Sequence, residues 1–173
     1  MEIVVNDTNI LIDLYNARLL SYCRGLDIEF RTLDLIINEI VDEHQSRAIQ
    51  SLVQDGTLKV CSLSSELMVA VSHMVNEYQG ACNLSVPDIS VMVYAKHYRC
   101  RLLTGDKVLR KKAEEQAITV SGILYLTDMI MGQDVVEVGE MISALERLLQ
   151  SNNRLPKKLV DEQINKLKQR TDT

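Results

Sequence analysis

Three features of the sequence predict an α/β fold, a three-layer α/β/α sandwich around a central, mainly parallel sheet of four to five strands, with added C-terminal helices. As far as residue 125, short apolar, β-branched segments alternate with helical segments of about 10 to 15 residues. Acidic residues directly follow several of these segments. Beyond residue 125 the pattern changes to helix upon helix. We therefore expect one domain over residues 1–125 and a helical extension over residues 126–173 that packs on it.

Hydrophobic periodicity gives the order of the elements along the chain. The predicted strands are residues 3–5, 33–37, 58–61, 102–104 and 118–120. The predicted helices are residues 8–15, 38–55, 65–79, 85–98, 107–116, 124–131 and 135–149, with a last one starting at Pro156. Gly and Asn residues end the apolar stripes of several helices, as at Gly56 and at Asn152-Asn153.

Composition limits the classes of function. The chain has 173 residues, of which 46% are hydrophobic, so it can bury one substantial core. Its net charge of -5 argues against charge-driven binding of nucleic acid by the whole surface. Residues 96–112 are the exception, with seven basic residues against Asp106 alone. This segment is either a basic patch beside an acidic site or a solvated helix face.

The sequence also predicts a soluble, cytoplasmic protein without membrane association. No apolar stretch reaches the roughly 20 residues that a membrane helix requires. The N-terminus has neither a basic segment nor a long apolar one, so we expect no signal peptide. The four cysteines are widely spaced, and we expect them to be reduced thiols.

Four carboxylates stand where an apolar segment ends or a helix begins: Asp7, Glu39, Asp88 and Asp106. In a parallel sheet with helical crossovers, such positions line one crevice. Each acid alone also has a structural explanation. Asp7 and Asp106 can cap helices, Asp88 can complete a capping box with Ser85, and Glu39 can complement a helix dipole.

Gathered in one crevice, these acids predict a divalent-metal site. Like charges that lie close together raise each other's cost of ionisation unless a cation neutralises them. Mg²⁺ prefers oxygen ligands, retains water, and is often bound by one or two carboxylates together with substrate phosphate. Hydrolysis of a phosphodiester is the chemistry that such a site favours.

Two segments carry a family resemblance. IVVNDTNILID, residues 3–13, resembles the opening motif of the PIN-domain nucleases, and LLTGDK, residues 102–107, resembles their later Thr-x-Asp strand end. Glu39 and Asp88 fall between them in the family's order, so the resemblance covers residues 2 to 125.

The resemblance implies a three-layer PIN-like fold and an endoribonuclease that depends on Mg²⁺ or Mn²⁺ and cleaves single-stranded or structured RNA. The implied metal-site acids are Asp7, Glu39, Asp88 and Asp106. Asn9 would be a supporting polar group, and Thr104 would order the site or bind a phosphate. Glu43, one turn beyond Glu39, is an alternative for the acidic role.

The basic segment supplies a further prediction about the substrate. Lys107, Arg110 and Lys111 follow Asp106 on a helix that should border the crevice. We expect them to bind the flanking phosphates of the RNA.

The resemblance extends to partners. The chain is similar in size to bacterial toxin ribonucleases of the VapC type, which pair with a small antitoxin protein. We therefore expect an RNA substrate, an antitoxin partner and a homodimer. The apolar stripe of the last helix is either core or an interface, and its members are Leu159, Val160, Ile164 and Leu167.

Two other classes of function stay open. A catalytically weak PIN-like module would bind RNA or a protein partner without cleaving. A phosphoryl-accepting signalling domain would also place acids at strand ends. It fits less well, because the third predicted strand runs from Val60 into Cys61-Ser62 and no isolated aspartate follows it.

Overall fold

A computed structural model describes the backbone of residues 1–171 and the side chains of residues 1–169. Within that range, five strands form one fully parallel sheet in the order β3-β2-β1-β4-β5. The strands are β1 (Glu2–Asn6), β2 (Ile28–Leu33), β3 (Leu58–Cys61), β4 (Arg101–Leu103) and β5 (Val120–Ser121). This confirms the predicted α/β fold and its parallel sheet.

Helices cover both faces of the sheet. Val4 and Val5 are consecutive in β1, so their side chains point to opposite faces, and both are fully buried. The helices in the described range are α1 (Thr8–Asn16), α2 (Asp34–Ile37), α3 (Glu43–Gln54), α4 (Ser65–Tyr78), α5 (Val86–Tyr98), α6 (Lys107–Glu115), α7 (Ile123–Gly132), α8 (Val138–Ser151) and α9 (Lys157–Thr171), with a 3₁₀ helix at Leu20–Gly25. α5 packs on β1 and β4 beside α4 and α6, whereas α1 contacts α3, α7 and α8.

The prediction of a second strand at residues 33–37 is wrong. The strand is β2, which ends at Leu33, and residues 34–37 form a short helix. In β2 the buried residues Ile28, Phe30 and Thr32 alternate with Glu29 and Arg31, which form a salt bridge of 2.5 Å. This period of two was available in the sequence, but the neighbouring apolar run Leu-Ile-Ile gave the stronger signal, and a short apolar run does not distinguish strand from helix.

The prediction that Asn38-Glu39 opens a helix is also wrong. α3 begins at Glu43, and Asp42 is its N-cap, since the Asp42 carboxylate accepts a hydrogen bond from the Gln45 amide at 2.9 Å. Glu39 lies instead in the turn after α2, where its amide donates to the Ile36 carbonyl at 3.2 Å. The fifth strand also begins two residues later than predicted, at Val120.

α7 and α8 pack on α1, and α9 packs on α8, so the core extends beyond residue 125. Val160, Ile164 and Leu167 of α9 are buried, whereas Leu159 is 52% exposed. Most of the predicted apolar stripe is therefore core of this chain. The division at residue 125 stays a prediction. None of the helices described above is both long enough and apolar enough to cross a bilayer.

Candidate active site

The neighbouring strands β1 and β4 position the centre of the site. Asp7 directly follows β1, and its amide donates to the Leu103 carbonyl at the end of β4, at 3.0 Å. The Asp7 side chain is buried, and its Oδ1 accepts from the Ile10 amide at 3.1 Å, which makes it the N-cap of α1. Its Oδ2 accepts a hydrogen bond from the Thr104 hydroxyl. The cap that the sequence predicts is therefore formed, and the same carboxylate also belongs to the cluster of acids.

Thr104 connects Asp7 to Asp106. It is fully buried, and while its hydroxyl donates to Asp7, its Oγ1 accepts from the Asp106 amide at 3.0 Å. Asp106 caps α6, because its Oδ1 accepts from the amides of Val108 and Leu109, both at 2.8 Å. Thr104 thus orders two of the acids and does not itself line the cavity between them.

Asp88 forms the capping box predicted from Ser85-Val86-Pro87-Asp88. The Asp88 amide donates to Ser85 Oγ at 3.2 Å, and Asp88 Oδ2 accepts from both the amide and the hydroxyl of Ser85, each at 2.8 Å. Its other oxygen, Oδ1, accepts no hydrogen bond among the residues that the structure describes. One carboxylate oxygen of Asp88 is therefore available to a ligand.

Glu39 reaches the same place from the turn after α2. Its Oε2 accepts a hydrogen bond from the Thr8 hydroxyl in the first turn of α1. The alternative acid Glu43 is exposed and pairs with Arg47 within α3 at 3.5 Å. Of the two, Glu39 is the one beside the other acids.

All four predicted acids line one cavity of about 460 Å³, which we call the acid cavity. Its lining consists of Asp7, Thr8, Asn9, Glu39, Asn83, Leu84, Ser85, Asp88, Asp106 and Arg154. The acids come from four separate elements of the fold. Asn9 also lies here, as predicted, and its hydrogen bond helps to lower the pKa of Asp7.

The balance of these neighbours sets the pKa of Asp7. That pKa is raised to about 6. Burial is the largest cause and the negative charge of Asp88 contributes to the rise, whereas hydrogen bonds from Thr104 and the Ile10 amide oppose it. The protein therefore stabilises the ionised form of Asp7 only in part. A positive charge in the cavity would favour that ionised form.

The three residues predicted to bind phosphate differ in their surroundings. Lys107 is exposed and has no hydrogen bond or ion pair within the described part of the chain. The Arg110 guanidinium instead donates to the carbonyls of Val120 at 3.4 Å and Thr104 at 3.3 Å. Lys107 and Arg110 line a second cavity, of about 530 Å³, to which the exposed Lys111 does not contribute.

Arg154 is a residue that the sequence did not indicate. It lies between α8 and α9, lines both cavities, and is 65% exposed, with Nη1 4.0 Å from Asp106 Oδ2. No local motif marks it, because its relation to the acids arises only when the C-terminal helices pack on α1. It places an exposed positive charge at the rim of the acid cavity.

The chemistry of the side chains decides whether they suit a divalent ion. The acids offer only oxygen atoms as ligands. Asp88 Oδ1 has no hydrogen-bond partner in the described chain. Among the described residues, no three His, Cys, Asp or Glu side chains lie close enough to hold an ion together. Mg²⁺ retains several waters and is often bound through one or two carboxylates, so a pair such as Asp7 and Asp88 fits its needs.

Comparison with known families assigns the chain to a class. The family model DUF3368, described as a PIN domain, matches residues 3–169. The chain therefore belongs to the PIN domain family, which confirms the family indicated by residues 3–13 and 102–107. The match also extends well beyond residue 125.

Individual relatives are more distant. Endoribonuclease Nob1 of Pyrococcus abyssi (strain GE5 / Orsay) is 27% identical over 85 residues, which are 49% of this chain and 53% of that protein. This chain thus spans about half the length of that relative.

Solved structures with some likeness include VapBC2 from Rickettsia felis bound to a DNA fragment from their promoter, with a TM-score of 0.49 at 12% identity over 69% of this chain and 98% of that chain. FitAcB from Neisseria gonorrhoeae has a TM-score of 0.47 at 12% identity over 68% of this chain and 95% of that one. A toxin-antitoxin complex from Klebsiella pneumoniae has a TM-score of 0.43 at 20% identity, covering 60% and 86% of the two chains.

Proposed function

We propose that this protein is an endoribonuclease that uses Mg²⁺ or Mn²⁺ to hydrolyse phosphodiester bonds in RNA. The observation that carries the proposal is the convergence of Asp7, Glu39, Asp88 and Asp106 on one cavity from four separate elements. Membership of the PIN domain family supports it, and so does the partial similarity to a protein named an endoribonuclease.

Within this proposal, Asp7 and Asp88 would hold the ion, and Glu39 and Asp106 would add negative charge and hydrogen-bond acceptors to the same cavity. A bound ion would stabilise negative charge on the phosphate and lower the pKa of a water molecule. Thr104 fixes the orientation of Asp7 by its hydrogen bond, and Asn9 lies beside Asp7 in the first turn of α1. Because Asp7 is buried and capped, its carboxylate is held in one geometry before substrate binds.

Phosphates on either side of the cleaved bond would meet Lys107 and Arg154. Both border the acid cavity or the cavity next to it, and neither is held in a close ion pair within the described chain. Replacing either residue with Gln should weaken RNA binding and reduce the slope of log Kd against log salt by about 0.7 for each lost contact. Arg110→Gln should instead lower stability, because its guanidinium binds two backbone carbonyls.

The decisive experiment is cleavage of single-stranded RNA by Asp88→Asn, with Glu43→Gln as the matched control. The carbonyl oxygen of the new amide can still accept the capping hydrogen bonds, so folding should be retained while cleavage falls at least about a hundredfold. Glu43→Gln should cleave normally. Cleavage should require Mg²⁺ or Mn²⁺ and stop in EDTA. Full activity of Asp88→Asn, or cleavage in EDTA, would show that the proposal is wrong.

A second candidate is a catalytically weak module that binds RNA or a protein. One observation favours it: among the described residues, no three acids lie close enough to hold an ion together. In that case the same RNA should bind with salt-dependent affinity and stay intact at every divalent-ion concentration. The cleavage assay therefore separates the two candidates.

The toxin role, an antitoxin partner, a homodimer and a cytoplasmic location stay predictions from the resemblance. Light scattering on the full chain measures its mass and tests the dimer. Growth arrest of cells that express this protein, relieved when a small protein encoded beside it is expressed too, would support the toxin role. Neither result is needed for the nuclease proposal.

A further inference from the structure

A third cavity, of about 320 Å³, adjoins the acid cavity, and Asn9 and Arg154 line both. We call it the polar cavity. Its other polar lining residues include Asp13, Asn16, Asn152 and Asn153. We propose that the polar cavity binds one nucleobase of the RNA. This inference rests on the proposed function, since it deepens the choice of substrate.

Two amides in the polar cavity are available for hydrogen bonds to a base. Within the part of the chain that the structure describes, the side chains of Asn16 and Asn153 make no hydrogen bond. Each carries a carbonyl oxygen and an amino group, and this combination matches the adjacent donor and acceptor on the edge of a base. They lie on different elements, at the end of α1 and in the loop between α8 and α9.

The wall behind these amides is already organised by the protein. Asn152 Nδ2 donates to both oxygens of Asp13, at 3.0 and 2.8 Å, and Asn152 Oδ1 accepts from the Arg154 amide at 2.9 Å. Asp13 is 4% exposed, so its carboxylate has little freedom to move. A rigid wall reduces the entropy that a bound base would have to lose from the protein.

The lining offers both kinds of hydrogen-bonding group. The Asp13 carboxylate accepts hydrogen bonds only, whereas the amides of Asn16 and Asn153 and the guanidinium of Arg154 can donate. Each of the four bases presents donors and acceptors on its edge, so the lining can pair with any of them.

Arg154 and Ile12 can contact the faces of the base. Arg154 has an exposed planar guanidinium at the boundary between the two cavities, and such groups stack on bases that are splayed out of single strands. Ile12 contributes an apolar surface to the same lining. Because the two cavities adjoin, an RNA whose phosphate lies in the acid cavity could place a nearby base in the polar cavity.

The test titrates the full-length protein with the four nucleosides, which carry no phosphate and need neither metal nor cleavage. The readout is the NMR signal of the side-chain amides of Asn16 and Asn153. Each nucleoside should shift these signals at a concentration at least about tenfold lower than ribose does, because ribose carries no base. The double variant Asn16→Ala/Asn153→Ala, followed through the amide of Asn9, should lose the response. Asn165→Ala, on the exposed face of α9, should keep it.

The outcomes separate this inference from the proposed function. Nucleoside binding by a protein that cleaves no RNA would support the polar cavity as a base site and contradict the nuclease. Cleavage of RNA without any nucleoside response would do the reverse. Equal affinity for the nucleosides and for ribose, or an unchanged response in the double variant, would also overturn the inference.

Discussion

Two carboxylates, one capping α1 and one within it, are buried to nearly the same degree, yet their surroundings differ. Asp7 precedes the helix and is 1% exposed, and Asp13 lies near its end and is 4% exposed. Each has a pKa raised to about 6, and burial is the largest cause. Near Asp7 the charge of Asp88 adds to that rise, whereas near Asp13 the amide of Asn152 and the charge of Arg154 oppose it.

The difference shows that burial alone does not identify a functional acid. Asp13 finds its partners inside the protein, in the loop that follows α8. Asp7 has hydrogen-bond donors too, but the nearest charges in its cavity are mostly negative. Of the two acids, Asp7 is therefore the better candidate for binding an external cation. The comparison leads to four predictions, from the largest expected effect to the smallest.

The largest difference should be in catalysis. Asp7→Asn should lower the cleavage rate about a thousandfold, equivalent to about 4 kcal/mol, because an amide cannot balance a divalent ion. Asp13→Asn should lower it by no more than about tenfold, through the base site alone. Single-turnover cleavage of one RNA by both variants measures the ratio. Equal losses would contradict the distinction between the two acids.

The second effect concerns stability against pH in the presence of EDTA. Each carboxyl has a folded pKa of about 6 against an ordinary value of 3.8, so the folded state holds its proton more tightly. Each protonated carboxyl therefore adds to the free energy of unfolding. This contribution is complete below about pH 4 and is lost as the pH rises through about 6. It amounts to roughly 3 kcal/mol for each group.

Urea unfolding from pH 4 to pH 8 measures this loss. Asp7→Asn and Asp13→Asn should each remove their own share of the pH dependence, and the double variant should remove both. Retention of the full pH dependence in the double variant would mean that other groups cause it.

The third effect tests the hydrogen-bond donor of each acid. Thr104→Val removes the donor to Asp7, and Asn152→Ala removes the donor to Asp13. Each should lower the free energy of unfolding by about 2 kcal/mol at pH 8, where the carboxylates are charged, and by less at pH 5. Asn153→Ala, an exposed neighbour, should change it little. A loss that is the same at both pH values would argue for packing instead of charge.

The smallest effect belongs to Arg154. Its positive charge lowers the pKa of Asp13, so Arg154→Gln should raise that pKa. The Arg154 side chain is 65% exposed, so water and salt screen its interaction with Asp13. The interaction free energy lost in the variant should be below about 1 kcal/mol and should vanish in about 1 M salt. Carboxyl NMR titration of Asp13 measures it, with Lys158→Gln as the control. A shift that survives high salt would point to a structural change.

The sequence predicted the parts of the site that depend on local pattern. Asp7 and Asp106 closely follow strands that pair side by side, so a parallel sheet necessarily brings them close. The capping box of Asp88 is likewise a local signal. Glu39 lines the acid cavity although the helix predicted to begin at it is not formed there. It lies in the turn after α2, where its carboxylate accepts the Thr8 hydrogen bond.

The remaining parts depend on distant contacts. Asp13 and Asn152 are 139 residues apart, and nothing in either segment indicates the other. Arg154 gains its place only through the packing of the loop between α8 and α9. Strand β2 carried its own signal in the alternation of Ile28, Phe30 and Thr32 with charged residues, but a longer apolar run beside it masked that signal.

Hydrogen bonds connect α8 to α1, although the two helices are more than 120 residues apart in the sequence. Arg147 donates to the Ala17 carbonyl at 3.0 Å, just past the end of α1, and Asn152 holds Asp13 within it. Opening of α8 would therefore release the helix that Asp7 caps. In hydrogen exchange, the amides of α1 and α8 should therefore open together, with the same free energy. The arrangement of the acids in the acid cavity would then depend on α8, a helix that contributes none of its carboxylates.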